Sequence, residues 1–100
     1  MMVAVRDGRA VKIARRVGPG WDFAGESVGF TKVGPEGGRV MKRFLEEEVA
    51  AGRLDQEYEA AMERAFGEVA FGHERVDAFA WTEIDFEEDV RKAEKLAREL

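Results

Sequence analysis

The sequence predicts a small α+β domain in which an antiparallel hairpin and further strands pack against three helices. An Asp7-Gly8 pair lies between two runs of alternating apolar and polar residues, which is typical of a β-hairpin. In three later segments, apolar residues recur every three or four positions, which indicates amphipathic helices. We expect these helices at residues 35–51, 55–66 and 86–99.

The hairpin is expected within residues 3–17, and its register depends on the turn. If residues 6–8 form a three-residue loop, Val3 faces Val11, which pairs two apolar side chains. A two-residue turn would instead pair Val3 with Lys12, which is a poorer match. The three-residue loop is therefore favoured. Further strands are expected at residues 26–33, 69–71 and 76–84.

The ends of the first two helices carry recognisable signals. Pro35 suits the first position of a helix, and Gly52 suits its end. Asp55 is placed to cap the second helix, which Gly67 would end. The first helix is expected to bury an apolar face made of Val40, Met41, Phe44, Leu45 and Val49.

Length and composition exclude several classes of protein. A chain of 100 residues forms one domain. It contains no cysteine, so it can form neither a disulfide nor a thiolate metal site. No run approaches the ~20 apolar residues of a membrane span, and the first residues lack the apolar region of a signal peptide. We therefore expect a cytoplasmic protein with no membrane partner.

The net charge of −5 is distributed unevenly. Residues 1–43 carry nine basic and four acidic side chains, whereas residues 44–100 carry seven basic and seventeen acidic ones. The basic part would suit a phosphate-bearing ligand, or it would simply be solvated strand edges and loop tips. Basic and aromatic residues are not interleaved on any segment, so we expect no nucleic-acid partner.

The segment 81–90 changes from a strand pattern to a helical pattern. Glu83 and Asp85 are separated by one apolar residue, so an extended strand would place both carboxylates on one face. Asp85 then lies at the strand-to-helix junction and has two interpretations. It caps the last helix, with Glu88 bonding back to it, or it binds a metal ion.

Three motifs resemble a known family when they are taken in order. They are the hairpin V-A-V-R-D-G-R at 3–9, then G-E-S-V-G-F at 25–30 leading to G-P-E-G at 34–37, and finally W-T-E-I-D at 81–85 followed by a helix. Together they resemble the second half of the nucleotidyltransferase domain of sugar- and polyol-phosphate nucleotidyltransferases, in particular the inositol-phosphate and choline-phosphate cytidylyltransferases. The resemblance covers nearly the whole chain. The family's Gly-rich motif that holds the nucleoside triphosphate, L-x-A-G-x-G-x-R, does not occur in this sequence.

The resemblance implies roles for four residues. Asp85 would bind the Mg²⁺ that bridges the phosphates of the nucleotide. Glu26 would bind hydroxyls of the acceptor phosphate compound, and Gly29 would let that compound approach the backbone. Glu83 is a weaker candidate for the same pocket. The family's other metal-binding aspartate lies in the half that is missing, so we assign no catalytic residue and expect weak metal binding.

The resemblance also implies a function. The chain would be a C-terminal fragment or subunit of a nucleotidyltransferase that transfers a nucleotidyl group from an NTP to a sugar-, polyol- or choline-phosphate. It would supply acceptor-binding residues and one metal ligand, and it would be inactive alone. The alternative is a non-catalytic binding or assembly module derived from that fold. Because a partial sheet leaves an edge or a face uncovered, we expect a homodimer, strand exchange or a complementing N-terminal half as partner.

Three other residues carry weaker signals. Trp81 is expected to be a packing residue, with base or ligand stacking as the alternative. His73 is expected to be an exposed loop residue, since no second histidine or cysteine accompanies it. Ser27 has no histidine at motif spacing, so a serine nucleophile is not supported.

Overall fold

The computed structural model describes all of residues 1–100 and confirms the α+β class. Three strands come first, β1 at Met2–Arg6, β2 at Arg9–Ala14 and β3 at Phe23–Glu26. Three helices follow, α1 at Pro35–Ala50, α2 at Glu59–Phe66 and α3 at Glu87–Glu99. No helix combines the length and the apolar character that crossing a membrane requires.

The strands form one antiparallel sheet in the order β2-β1-β3. The hairpin turn has two residues, and the expected three-residue loop is wrong, because Arg6 pairs directly with Arg9. Asp7 and Gly8 both have positive φ, at 52° and 76°. A two-residue turn of this kind matches the twist of the flanking strands and needs residues that tolerate the left-handed region.

A bulge then corrects the register that this turn would impose. The pairing shifts between Ala4 and Val5, so that Val3 faces Ile13. Neither expected partner of Val3 is therefore right. The extra residue on β2 gives this apolar side chain an apolar neighbour, which an uninterrupted ladder would have denied it.

Only one strand follows the hairpin, because the expected strands at 26–33, 69–71 and 76–84 do not form. β3 ends at Glu26, and Gly29 with φ 84° turns the chain away from the sheet. The 69–71 segment is tied to β2 by a single bond, in which the Ala10 N–H donates to the Phe71 carbonyl at 2.8 Å.

The core lies between α1, α2 and the hairpin. α2 packs on β2, and α1 packs on α2. Phe44 of α1 meets Ala61 and Ala65 of α2, where all three are buried. Two of the residues expected on the buried face of α1, Leu45 and Val49, are instead exposed.

The helix termini agree in part with the expectations. α1 starts at Pro35, and Gly52 follows its end with φ 77°. α2 begins at Glu59, later than expected, and Asp55 does not cap it. Residues 51–57 form turns instead, and Glu57 pairs with Arg15 next to the end of β2.

The last helix differs from the other two. α3 contacts none of the other helices or strands and buries no residue. Of the three helices expected to pack against the strands, only α2 does so, because α1 packs on α2 and α3 packs on neither. The amphipathic pattern of α3 specifies a helix, but no other helix or strand of the same chain lies against it.

Candidate functional site

An open groove with a volume of about 1260 Å³ lies beside the sheet. One side consists of inward-facing strand residues such as Val3, Val5 and Ile13. The other sides come from residues 26–28 and 30–37, the α2 face at Met62 and Phe66, and residues 69–77. An apolar cleft with a few polar groups at its rim is the usual form of a small-molecule site.

Glu26 lies at the rim of this groove, where β3 ends. Its side chain is exposed and makes no ion pair. A carboxylate in this state has both oxygens available to accept hydrogen bonds from ligand hydroxyls. The acceptor-binding role of Glu26 stays a prediction.

Ser27 and Gly29 form the turn directly after Glu26. The Gly29 N–H donates to Ser27 Oγ at 3.2 Å, so the serine hydroxyl holds the turn. Gly29 is exposed, and a side chain added there would meet no atom within 4 Å. Its positive φ explains the glycine, and it does not itself line the groove.

Two cationic side chains lie at the groove, and the sequence analysis did not select either one. Lys32 makes no ion pair, so its ammonium group is available to an anion. Arg75 donates to Asp77 at 2.7 Å and lies 5.1 Å from the ring centroid of Phe23. These cations come from segments more than forty residues apart, so only the tertiary fold brings them to one groove.

His73 and Trp81 also line the groove. The rings of His73 and Phe23 are 5.1 Å apart in a tilted arrangement. His73 is exposed in a loop, as expected. Trp81 is 40% exposed, so it covers one margin of the groove without being enclosed.

Glu83 and Asp85 lie outside the groove, in the exposed segment that leads to α3. The structure thus does not bring them to Glu26 at one pocket. No group of three or more histidine, cysteine, aspartate or glutamate side chains is arranged to hold a metal ion. Asp85 offers one exposed carboxylate, which fits a single Mg²⁺ ligand but is not a complete site.

The capping interpretation of Asp85 is wrong in its details. The N-cap position of α3 is held by Phe86, and the residue that bonds back is Asp89, not Glu88. The Asp89 carboxylate accepts hydrogen bonds from the backbone N–H groups of Asp85 and Phe86, both at 3.0 Å. These two bonds hold the pKa of Asp89 below its ordinary value. The Asp85 side chain is consequently not used by the helix terminus.

Comparison of the chain with protein-family models, with curated proteins and with solved structures found no match.

Proposed function

We propose that this chain is the acceptor-binding part of a nucleotidyltransferase that acts on a sugar-, polyol- or choline-phosphate. The observation that supports it is the open carboxylate of Glu26 at the rim of the same groove that Lys32 and Arg75 line. A carboxylate binds hydroxyls, and ammonium and guanidinium groups bind phosphate. One groove thus offers both kinds of group that a phosphorylated polyol needs.

Mg²⁺ has a limited place in this proposal. Magnesium uses one or two protein carboxylates and takes its other ligands from water and phosphate oxygens. Asp85 would be one such ligand, and its carboxylate is not used by the cap of α3. Bound there, the ion would neutralise charge on the nucleotide's phosphates. A second protein carboxylate would have to come from the polypeptide that binds the nucleotide.

The binding part of the proposal is tested by titrating the chain with inositol phosphate and, separately, with inorganic phosphate. Glu26→Gln should weaken inositol phosphate binding about ten-fold, since a hydrogen bond to a charged group contributes roughly 1.5–3 kcal/mol. The same variant should leave inorganic phosphate binding unchanged, because that ligand has no polyol hydroxyls. Lys32→Gln should weaken the binding of both ligands. Glu46→Gln on the far side of α1 is the matched control.

The catalytic part is tested by pyrophosphate release. Alone, the chain should release none above background from cytidine triphosphate and an acceptor phosphate, because positioning of the triphosphate provides most of the rate in such chemistry. A nucleotide-binding half supplied in trans should restore release, and Asp85→Ala should abolish it. Glu88→Ala in the first turn of α3 is the control. Turnover by the chain alone, or restored release that survives Asp85→Ala, would contradict the assigned roles.

A second candidate function is a non-catalytic assembly module. It is favoured by the last part of the chain, where α3 contacts no other element. Binding of inositol phosphate in the groove separates the two candidates. An assembly module would self-associate without binding any phosphorylated polyol.

A further inference from the structure

The folded chain exposes more surface than its size requires. Its accessible surface is 7748 Å², whereas a monomer of 11.2 kDa that covers its own core exposes about 5700 Å². The excess is thus about 2000 Å² per chain, which is the scale of an obligate interface. The radius of gyration of 15.7 Å also exceeds the roughly 13 Å typical of 100 residues.

Residues 79–100, which we call the tail, contain no buried residue. The tail carries large apolar side chains that are mostly exposed, among them Phe79 at 71%, Ile84 at 60% and Phe86 at 68%. In α3, one stripe is formed by Val90, Ala93, Leu96, Ala97 and Leu100. No other helix or strand of the same chain covers that stripe.

The backbone of the tail is also unpaired. Residues 80–85 lie outside every helix and strand and make no backbone-to-backbone hydrogen bond. Their sequence A-W-T-E-I-D includes aromatic and β-branched residues, which favour strands. The only partner of a backbone N–H in this stretch is the Asp89 carboxylate, which accepts from Asp85. The tail is therefore a strand-forming segment followed directly by a helix with an apolar stripe.

The same chain has a free strand edge and an open groove, which are the surfaces that a strand followed by a helix would dock on. β3 pairs with β1 on one side only, so its other edge has free N–H and carbonyl groups. The groove borders this edge, since Phe23, Gly25 and Glu26 of β3 all line it. A strand added beside β3 and continued as a helix would thus lie next to an open apolar groove.

We propose that the tail of one chain docks on a second copy, with residues 80–85 added to the free edge of β3 and α3 in the adjoining groove. The exchange is reciprocal and gives a closed two-fold dimer. Residues 77–86 connect the groove to α3. In the dimer, residues 80–85 would themselves span about 20 Å as the added strand, and residues 77–79 would link that strand to its own chain.

The observations behind this dimer are independent of the proposed function. Because α3 of the second copy would occupy the groove that the acceptor uses, the acceptor titration is made at low micromolar chain concentration, where the chain is monomeric. The dimer rests on exposed area and on unpaired backbone, whereas the acceptor site rests on Glu26 and the cations of the groove. Failure of one is distinguishable from failure of the other, because association is measured by mass and acceptor binding by titration.

Sedimentation over a range of concentrations tests the helix part of the proposal. The wild-type chain should form a dimer of twice 11.2 kDa at concentrations on the order of 100 µM. Val90→Lys places a charge on the apolar stripe and should raise the dissociation constant about 30-fold. Glu88→Gln changes the charge of α3 by the same amount on the side opposite the stripe and should have no effect. A monomer at every concentration, or equal effects of the two variants, would overturn the proposal.

Proline substitution tests the strand part. In an added strand, alternate N–H groups point toward the partner, so one of Thr82→Pro and Glu83→Pro should weaken the dimer strongly and the other only slightly. Thr82→Ala and Glu83→Ala are the matched controls. Neither N–H has a backbone partner within the chain, so the folding of the monomer should not change. Equal and small effects of both prolines would exclude strand addition.

Discussion

Residues 1–71, which we call the body, and the tail both contain segments with an amphipathic pattern. Only the body buries its apolar side chains. All nine buried residues lie in the body, where α1, α2 and the hairpin cover one another. α3 has an apolar stripe as well formed as that of α1, yet none of its residues is buried. The comparison shows that an amphipathic pattern specifies a helix and its apolar face, whereas the burial of that face depends on what the rest of the fold presents.

The largest effect should separate the two regions through the same substitution. Phe44→Ala removes a buried ring packed on Ala61 and Ala65 and flanked by the Arg64 guanidinium, 4.1 Å from its centroid. It should lower the free energy of unfolding by about 3–5 kcal/mol. Phe86→Ala in the tail should change the free energy of unfolding of the monomer by less than about 0.5 kcal/mol. Urea unfolding at low micromolar concentration measures both.

A comparable loss of stability in the monomer for both phenylalanine variants would mean that the tail packs on the body after all. The result for the Phe86 variant is the more decisive one, because Phe86 is 68% exposed.

A smaller effect is expected from the two adjacent glycines of α1. Gly38→Ala meets open space and should stabilise the body by up to about 1 kcal/mol through helix propensity. At Gly37, an added Cβ would lie 2.9 Å from Val33 Cγ1, so the segment before α1 must shift. Gly37→Ala should therefore gain less than Gly38→Ala or lose stability. Thermal unfolding of both variants checks the order, and a larger gain at Gly37 would show that this segment does not pack on α1.

The smallest effects are expected from acid, and they should separate the two regions again. Glu48 of α1 accepts hydrogen bonds from Arg53 and Arg64, and chiefly the Arg53 bond lowers its pKa. The pKa of Asp89 is lowered by backbone N–H groups. A carboxyl with a depressed pKa stabilises the fold above its unfolded value, near 4, and this contribution is lost as the pH falls through the folded value.

Below about pH 4, the melting temperature of the body should therefore fall, while the first turn of α3 frays independently. Glu48→Gln should remove part of the first change and leave the second. Asp89→Asn should do the reverse. Amide NMR signals of α3 and thermal unfolding of the body measure the two separately. A single coupled transition in both variants would show that tail and body unfold as one unit.

Much of the body could be predicted from local sequence. The existence of α1 and α2, the Pro35 start and the hairpin itself follow from spacing and backbone preference. The two-residue turn at Asp7-Gly8 was not expected, because a three-residue loop pairs Val3 with an apolar side chain. The strand register could not be predicted, because the bulge at Val11 of β2 depends on which partner makes Val3 fit. The strands expected at 69–71 and 76–84 do not form, because a strand needs a paired neighbour and the local sequence pattern does not reveal one.

The candidate site divides in the same way. Glu26 was predicted from its motif, and it lies at the groove. Lys32 and Arg75 were not selected, since each is an ordinary charged loop residue until the fold brings both to one cleft. Glu83 and Asp85 were grouped with the site through an assumed strand. That strand is absent within the single chain, so the two carboxylates remain on the tail.

Hydrogen exchange of the wild-type chain at two concentrations tests most directly the claim that the body covers itself and the tail needs a second copy. Amides of β1, β2 and α2 should be protected equally at low and high concentration. Amides of residues 80–84 and α3 should exchange rapidly in the dilute monomer and become protected as the dimer forms. Tail amides that exchange at the same rate at both concentrations, fast or slow, would contradict the account.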